Sequence, residues 1–417
     1  MTLENIARNA YAKLEKLAQL PEITLIIGAR QVGKTTLMKK LQEELRAASE
    51  KTLYFNLDIE SDYKYFSSQE NFLNKLDLEC GKEKTYVFID EIQRKENAGL
   101  FLKGLYDMNL NYKFIVSGSG SLELKEKISE SLQGRKRTIE LRPVSFEEFI
   151  NFKTNYKYQS KLDKFLEIET NQAKILLEEY LNFGGYPKVI TTKKIEDKLQ
   201  TIAEIYSSYL DKDIKALLGL ERPDAYTKLI RLLAAQLGQT INYSELASQT
   251  GLATETLKKY LYYAEETCAI QIISPYFTNK VKEITKSPRS YFNDLGLRNY
   301  TIDEFGSITR EDEYSFLFEN LILDILKEKN YNSSREVHFW RTTDKAEVDF
   351  IIDSGKSVLP IEVKYSEYSK PKIPASLKSF IQQYKPEEAW LINLKLRESA
   401  NYEGCNVKFM TLADLLD

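Results

Sequence analysis

The 417-residue chain is predicted to be α/β: a parallel sheet, then a helical stretch, then a second α/β unit. Three observations carry that expectation. Short apolar runs alternate with helical stretches over residues 1–150, β-rich runs then vanish until the last third, and a glycine-rich phosphate-loop pattern separates the first run from the first long helix. At about 150 residues per domain, the length accommodates about three folded units.

In chain order, the first runs are Ile23–Ile27, Thr52–Leu57, Tyr86–Ile89, Lys113–Val116 and Thr138–Leu141, each bounded by Gly, Asp or Ser. Strands this apolar belong to a sheet covered on both faces. Residues 151–225 read as a helical segment rich in Lys and Glu, broken once at Phe183-Gly184-Gly185-Tyr186-Pro187. Residues 226–290 read as a winged-helix-like segment. It starts with a helix Tyr226–Leu237 and a short helix capped by Asn242 or Ser244. A turn at Thr250-Gly251 follows, then a helix capped by Thr254 and reaching Glu266, and a strand Ile270–Ile273. From 291 to 417, a helix Phe316–Lys329 and the runs Glu347–Ile352 and Val358–Lys364 announce the last α/β domain.

Composition narrows function. Lys+Arg 59 against Asp+Glu 62 leaves a net charge of −3, so no global field draws the chain to nucleic acid or membrane, and any basic surface must be local. Cys80, Cys268 and Cys405 form no CxxC pair and His338 is the single histidine. That argues against a zinc centre, a disulfide framework or imidazole catalysis, and His338 reads as a strand histidine. The opening MTLENIARNAYAKLEKL lacks the apolar core of a signal peptide, and no run approaches 18 apolar residues. A cytoplasmic chain without a membrane partner is expected.

Gly28-Ala29-Arg30-Gln31-Val32-Gly33-Lys34-Thr35 fits GxxxxGK[ST] between a strand and a helix that continues with Thr36. Backbone N–H groups of such a loop and the helix dipole hold phosphates, Lys34 neutralises the outer ones, and Thr35 offers an oxygen to Mg²⁺. The strand Thr85–Ile89 ends in Asp90-Glu91, where one carboxylate can serve Mg²⁺ and the next can polarise water for in-line attack. A further strand ends in Ser117-Gly118-Ser119, placing a hydroxyl near the same site. Asn74-Lys75-Leu76-Asp77 imitates a guanine-reading motif but lies inside a helical pattern, which favours ATP.

The segments GARQVGKTTL, YVFIDEIQR, IVSGSGSLEL and GRKRTIELRPVSFEEF resemble the AAA-type P-loop ATPases that carry a C-terminal DUF4143 domain; FGGYPKVI, SYLDKDI and KSPRSYFNDLGLRNY extend the likeness over nearly the whole chain. The resemblance implies an AAA+ core in which a sensor strand separates the two nucleotide-binding strands. It makes Ser117 or Ser119 the sensor, and Arg135 the leading arginine to reach a γ-phosphate in cis or in trans, with Arg137 and Arg142 as competitors.

On the helix 255–266, Lys258, Lys259 and Tyr262, with Lys280, Lys282, Lys286 and Arg289 downstream, favour DNA; Glu255, Glu265 and Glu266 oppose it. In the last domain, period-two spacing puts Val348, Phe350, Ile361 and Val363 on one face and Asp349, Glu362 and Lys364 on the other. With Glu319 on the preceding helix, this resembles the PD-(D/E)xK nuclease pattern, two carboxylates on one Mg²⁺ beside a lysine. Two readings result: an ATP-hydrolysing enzyme acting on or near DNA, homo-oligomeric if Arg135 works in trans, or a nucleotide-gated scaffold for a protein partner with an inactive nuclease-like domain.

Overall fold

The computed structural model describes residues 6–81, 83–119, 131–210, 214, 222–279, 283, 286–330, 335–344 and 346–416. Five strands, β1 (Ile23–Gly28), β2 (Lys51–Asn56), β3 (Thr85–Asp90), β4 (Tyr112–Ser119) and β5 (Lys136–Glu140), pair in parallel in the order β2-β3-β4-β1-β5. The alternation along β1 shows why helices cover both faces. Ile23 and Leu25 join a core with Phe101 and Leu102 of the helix Ala98–Asp107, while Ile26 packs with Leu37 and Met38 of the helix Lys34–Ala47. Because the strands are parallel, Gly28, Asp90 and Ser117 arrive at one edge of the sheet.

Beyond the sheet, Ser145 and Glu148 form a capping box that starts the helix Phe146–Lys153. The Phe183-to-Pro187 breaker ends the helix Thr170–Phe183 and docks against the helix Leu295–Thr301 so closely that a Cβ on Gly296 would meet the Phe183 carbonyl oxygen at 2.1 Å. Asp294 seals this junction by accepting from the amides of Gly185 and Leu297, each at 2.7 Å. Its burial pushes the carboxyl up to about 6.

The next segment has helices Pro223–Ala235, Tyr243–Thr250 and Thr254–Glu266, then an antiparallel pair, β6 (Ile270–Ile273) and β7 (Arg289–Phe292). Asn242, not Ser244, caps the second helix through the Glu245 amide. Thr254 is the first helical residue and makes no cap bond, because the chain turns in one residue earlier, at Ala253.

The last domain is a six-stranded mixed sheet, β12-β13-β11-β10-β9-β8, comprising β8 (Glu336–Arg341), β9 (Glu347–Asp353), β10 (Val358–Val363), β11 (Glu388–Ile392), β12 (Glu398–Tyr402) and β13 (Cys405–Met410). The helix Glu311–Asn330 begins more than a turn before the expected Phe316 and packs on β8 and β10. One expectation fails here. His338 pairs with Ile351 but Trp340 pairs with Val348, so β9 carries an extra residue and bulges at Asp349-Phe350. Val348 therefore packs under the helix Ala375–Tyr384, whereas Phe350, Ile361 and Val363 join the core of the helix Glu311–Asn330.

Candidate nucleotide site and a second acidic site

Buried β1 delivers the phosphate loop to the sheet edge, and the helix Lys34–Ala47 leaves from it. A Cβ on Gly28 would lie 2.1 Å from the Leu141 carbonyl oxygen, so only glycine lets the chain after β5 pass; Gly33, at φ 100°, takes a left-handed turn into the helix. Lys34 is 6% exposed, and its Nζ donates to the carbonyls of Gly28 at 2.9 Å and Ala29 at 2.7 Å, which holds the ammonium in the mouth of the loop.

Thr35 Oγ1 and Tyr54 Oη both donate to Oδ2 of buried Asp90 at 2.7 Å, and Ser117 donates to its Oδ1. Burial and that bond to Asp90 push the Tyr54 phenol upward and keep it a donor. A hydroxyl and a carboxylate side by side at the root of a phosphate loop are the donor set of a hard divalent cation. Ser117 also receives the Glu91 amide at 3.4 Å, so its hydroxyl ties the two acids together. Glu91 follows β3 at φ 59°, and Gln93 donates to its carboxylate. The side chain of Ser119 and the residues 120–124 lie outside the described residues, as do Lys280, Lys282 and part of the 208–214 segment.

The arginines separate. Arg135 precedes β5, its carbonyl takes the amide of Ile23 at the start of β1, and its guanidinium pairs with Asp107 at 2.6 Å. β1 spans six residues, so Arg135 stands about 17 Å from the phosphate loop. Within one chain it is out of reach, and so is Arg137, paired with Glu22 at 2.7 Å. Arg142 lies at the correct edge, just past Leu141, whose amide bonds the Ile27 carbonyl.

Two participants carry no sequence signal. Tyr54 sits on the neighbouring strand. Arg8, largely buried, donates to the Val32 carbonyl in the loop at 2.8 Å, to the Arg142 carbonyl at 2.6 Å and to Glu148 at 2.9 Å. It clamps the loop to the start of the helical segment.

The C-terminal sheet brings Glu319, Asp349, Glu362 and Lys364 together. Lys364 Nζ lies 2.7 Å from Glu362 and 3.9 Å from Asp349, and Asp349 also accepts the Val363 amide at 2.8 Å. The bulge in β9 turns Asp349 toward β10. Glu319 receives the Tyr291 hydroxyl at 2.5 Å and lies 3.6 Å from the guanidinium of Arg289, a 2% exposed residue from β7 that also pairs with Glu347. Burial, then the charge of Asp349, raises the Glu319 carboxyl to about 8; the same two causes push Glu362 up, eased by Lys364. Arg289 was expected among DNA-facing cations and is instead internal.

Asn74–Asp77 lies on the helix Gln69–Cys80, as expected of a solvated helix face. Among the described residues no helix is long and apolar enough to cross a membrane.

Relatives span the whole length. An uncharacterized protein of Haemophilus influenzae is 26% identical over 425 aligned residues, covering 98% of each chain. One from Methanocaldococcus jannaschii is 27% identical over 407, covering 91% of this chain and 82% of its own. A solved structure, replication initiator DnaA bound to AMPPCP and single-stranded DNA, is 16% identical with a TM-score of 0.28, covering 63% of this chain and 90% of that one; so slight a likeness carries no argument. Family models match an AAA domain over residues 20–150, a domain of unknown function (DUF8612) over 174–307 and a domain of unknown function (DUF4143) over 314–413. The chain is an AAA-domain protein with a C-terminal DUF4143 domain.

Proposed function

We propose that the protein binds and hydrolyses ATP with Mg²⁺, in the cytoplasm, and works on or near DNA. The observation that carries the ATPase reading is the meeting of Thr35 and Asp90 at 2.7 Å beneath a loop whose mouth holds the Lys34 ammonium. Thr35 and Asp90 are the residues that would hold Mg²⁺, which when bound supplies charge neutralisation on the phosphates. The 28–36 loop binds the phosphates through its amides, and Lys34 exchanges loop carbonyls for phosphate oxygens. Glu91, the second acid, takes a proton from the attacking water, and Ser117 keeps both acids in register. Arg142 starts from the loop edge of the sheet but has Glu140, Asp324 and Glu328 as charged neighbours, so a cis role requires it to leave them, and Arg135 acts only if a second copy presents it.

The DNA half rests on the helices Tyr243–Thr250 and Thr254–Glu266 with the β6–β7 pair, an arrangement that supports a winged helix, and on the acid group of the last sheet. The scaffold reading is favoured by one observation: Lys364 and Arg289 already neutralise those acids from within. ATP turnover measured with and without single- or double-stranded DNA at low and moderate salt separates the two. Salt-sensitive stimulation supports the enzyme acting on DNA, indifference supports the scaffold, and absence of any turnover with Mg²⁺ rejects the ATPase.

A further inference from the structure

The chain's single histidine belongs to neither site described above: it pairs with Ile351 next to the β9 bulge but is embedded in a different group of donors. His338 and Glu336 are two residues apart on β8, the outer strand of the C-terminal sheet, and so project from the same side. The segment after β6 runs alongside: Ser274 and Tyr276 bond the backbone of Phe339, at 3.2 and 2.6 Å. That pairing brings in Glu283, which is 55 residues from His338 in sequence. One donor atom each from Glu283, Glu336 and His338 fall within 4.8 Å of one another.

The imidazole supplies a second, independent observation. His338 is 2% exposed, Ser274 Oγ sits 2.9 Å from its Nδ1, and its Nε2 is buried without a hydrogen-bond partner. A hydroxyl on Nδ1 favours the tautomer that carries its proton there and leaves the lone pair on Nε2. The Glu336 carboxylate lies 3.4 Å from that nitrogen. Two acceptors facing each other repel unless a cation lies between them, and a buried polar nitrogen left unmatched is costly.

We propose that Glu283, Glu336 and His338 form a binding site for a divalent first-row transition cation of the zinc class. One imidazole nitrogen with two carboxylates suits such an ion better than Mg²⁺ or Ca²⁺, which prefer oxygen throughout. The two carboxylate charges balance the ion. Bound ligands sit about 2.0–2.2 Å from such a metal, so donors within 4.8 Å of one another must draw in on binding, to about 3.4 Å in a tetrahedral site. Three protein ligands leave coordination positions open, and His338 and Glu336 also line a pocket of about 320 Å³ shared with Ser274, Lys327 and Arg335. The sequence argued against such a centre, because ligands this far apart leave no spacing motif.

The test exploits the lone histidine. In untagged full-length protein labelled with ¹⁵N-histidine, only one imidazole gives a signal. Added Zn²⁺ should move the Nε2 resonance to its metal-bound position while Nδ1 keeps its proton. Glu336→Gln, a change at a largely exposed side chain, should weaken the effect at least tenfold, and Ser274→Ala about tenfold through loss of orientation. ATP turnover with Mg²⁺ should be unchanged in Glu336→Gln, which separates this site from the nucleotide reading. An imidazole unmoved by Zn²⁺, or moved equally in Glu336→Gln, overturns the proposal. So does a ring found protonated at neutral pH and insensitive to metal, since a plain ion pair with Glu336 then accounts for the geometry.

Discussion

Asp90 and Asp349 are both buried carboxylates on central strands, and their surroundings are opposite. Among the described residues, Asp90 is held by three hydroxyls, from Thr35, Tyr54 and Ser117. Asp349 sits among Glu319, Glu347 and Glu362, with Lys364 and Arg289 beside the group. Neutral dipoles stabilise a buried charge without cancelling it, so Asp90 keeps its attraction for an incoming cation. Resident cations cancel the charge in place, so a metal entering the Asp349 group must compete with a lysine and, through Glu319, with an arginine. The contrast teaches that clustered acids alone do not make a metal site: the charge already beside them decides.

The largest effect should come from the reacting side of the first site. Glu91→Gln should cut ATP turnover by about 10²- to 10⁴-fold while nucleotide still binds, measured as turnover beside equilibrium binding. Unchanged turnover would remove Glu91 from its role as base. Next, Lys34→Ala should weaken ATP binding about 10- to 100-fold, because a charge-assisted contact to the phosphates is lost; titration with a labelled nucleotide reads this directly.

The second site should respond in stability first. Arg289→Met strips Glu319 and Glu347 of a buried partner and should destabilise the protein by about 3–5 kcal/mol in denaturant unfolding. If Mg²⁺ or Mn²⁺ then protects Arg289→Met more than the parent chain, the arginine is a stand-in for metal. Equal protection would break the comparison with Asp90.

A pH experiment follows. Burial and the charge of Asp349 push the Glu319 carboxyl up to about 8, above the ordinary carboxylate range, so the folded state holds its proton more tightly than the unfolded state. Its contribution is fully present below about pH 4.5 and is lost as pH rises toward 8, at up to about 1.4 kcal/mol per pH unit. Glu319→Gln should flatten that fall in stability between pH 5 and 8; an identical pH profile in the variant would show the carboxyl to be ionised throughout. The smallest effect belongs to Arg135→Ala, which should leave turnover in dilute solution within about twofold, since no phosphate lies within its reach. A loss that grows with protein concentration would reveal a second copy using it.

Legibility differed along the chain. All five strands of the first sheet were readable, because each is a short apolar run closed by Gly, Asp or Ser, and the loop between β1 and its helix has a motif of contiguous residues. In the last domain, only β9 and β10 announced themselves. β8, β11, β12 and β13 mix exposed and buried positions too irregularly to stand out, and Glu336 and Glu398 begin their strands exposed. The bulge at Asp349-Phe350 was invisible because period two assumes an unbroken ladder, and it is pairing with β8 that breaks it.

By itself, the sequence determined the phosphate loop, the Asp90-Glu91 pair, the order of the parallel strands' residues and the candidate group Glu319, Asp349, Glu362 and Lys364. Those signals are local: a few residues of spacing, a cap, an alternation. Only the tertiary structure decided that Arg135 stands at the far end of β1, that Arg8 and Tyr54 serve the nucleotide site, that Arg289 enters the acid group from another segment, and that Glu283 meets His338. Each of these depends on chain ends brought together across dozens or hundreds of residues. Burial and charge compensation are properties of that assembled environment, and no window of sequence contains them.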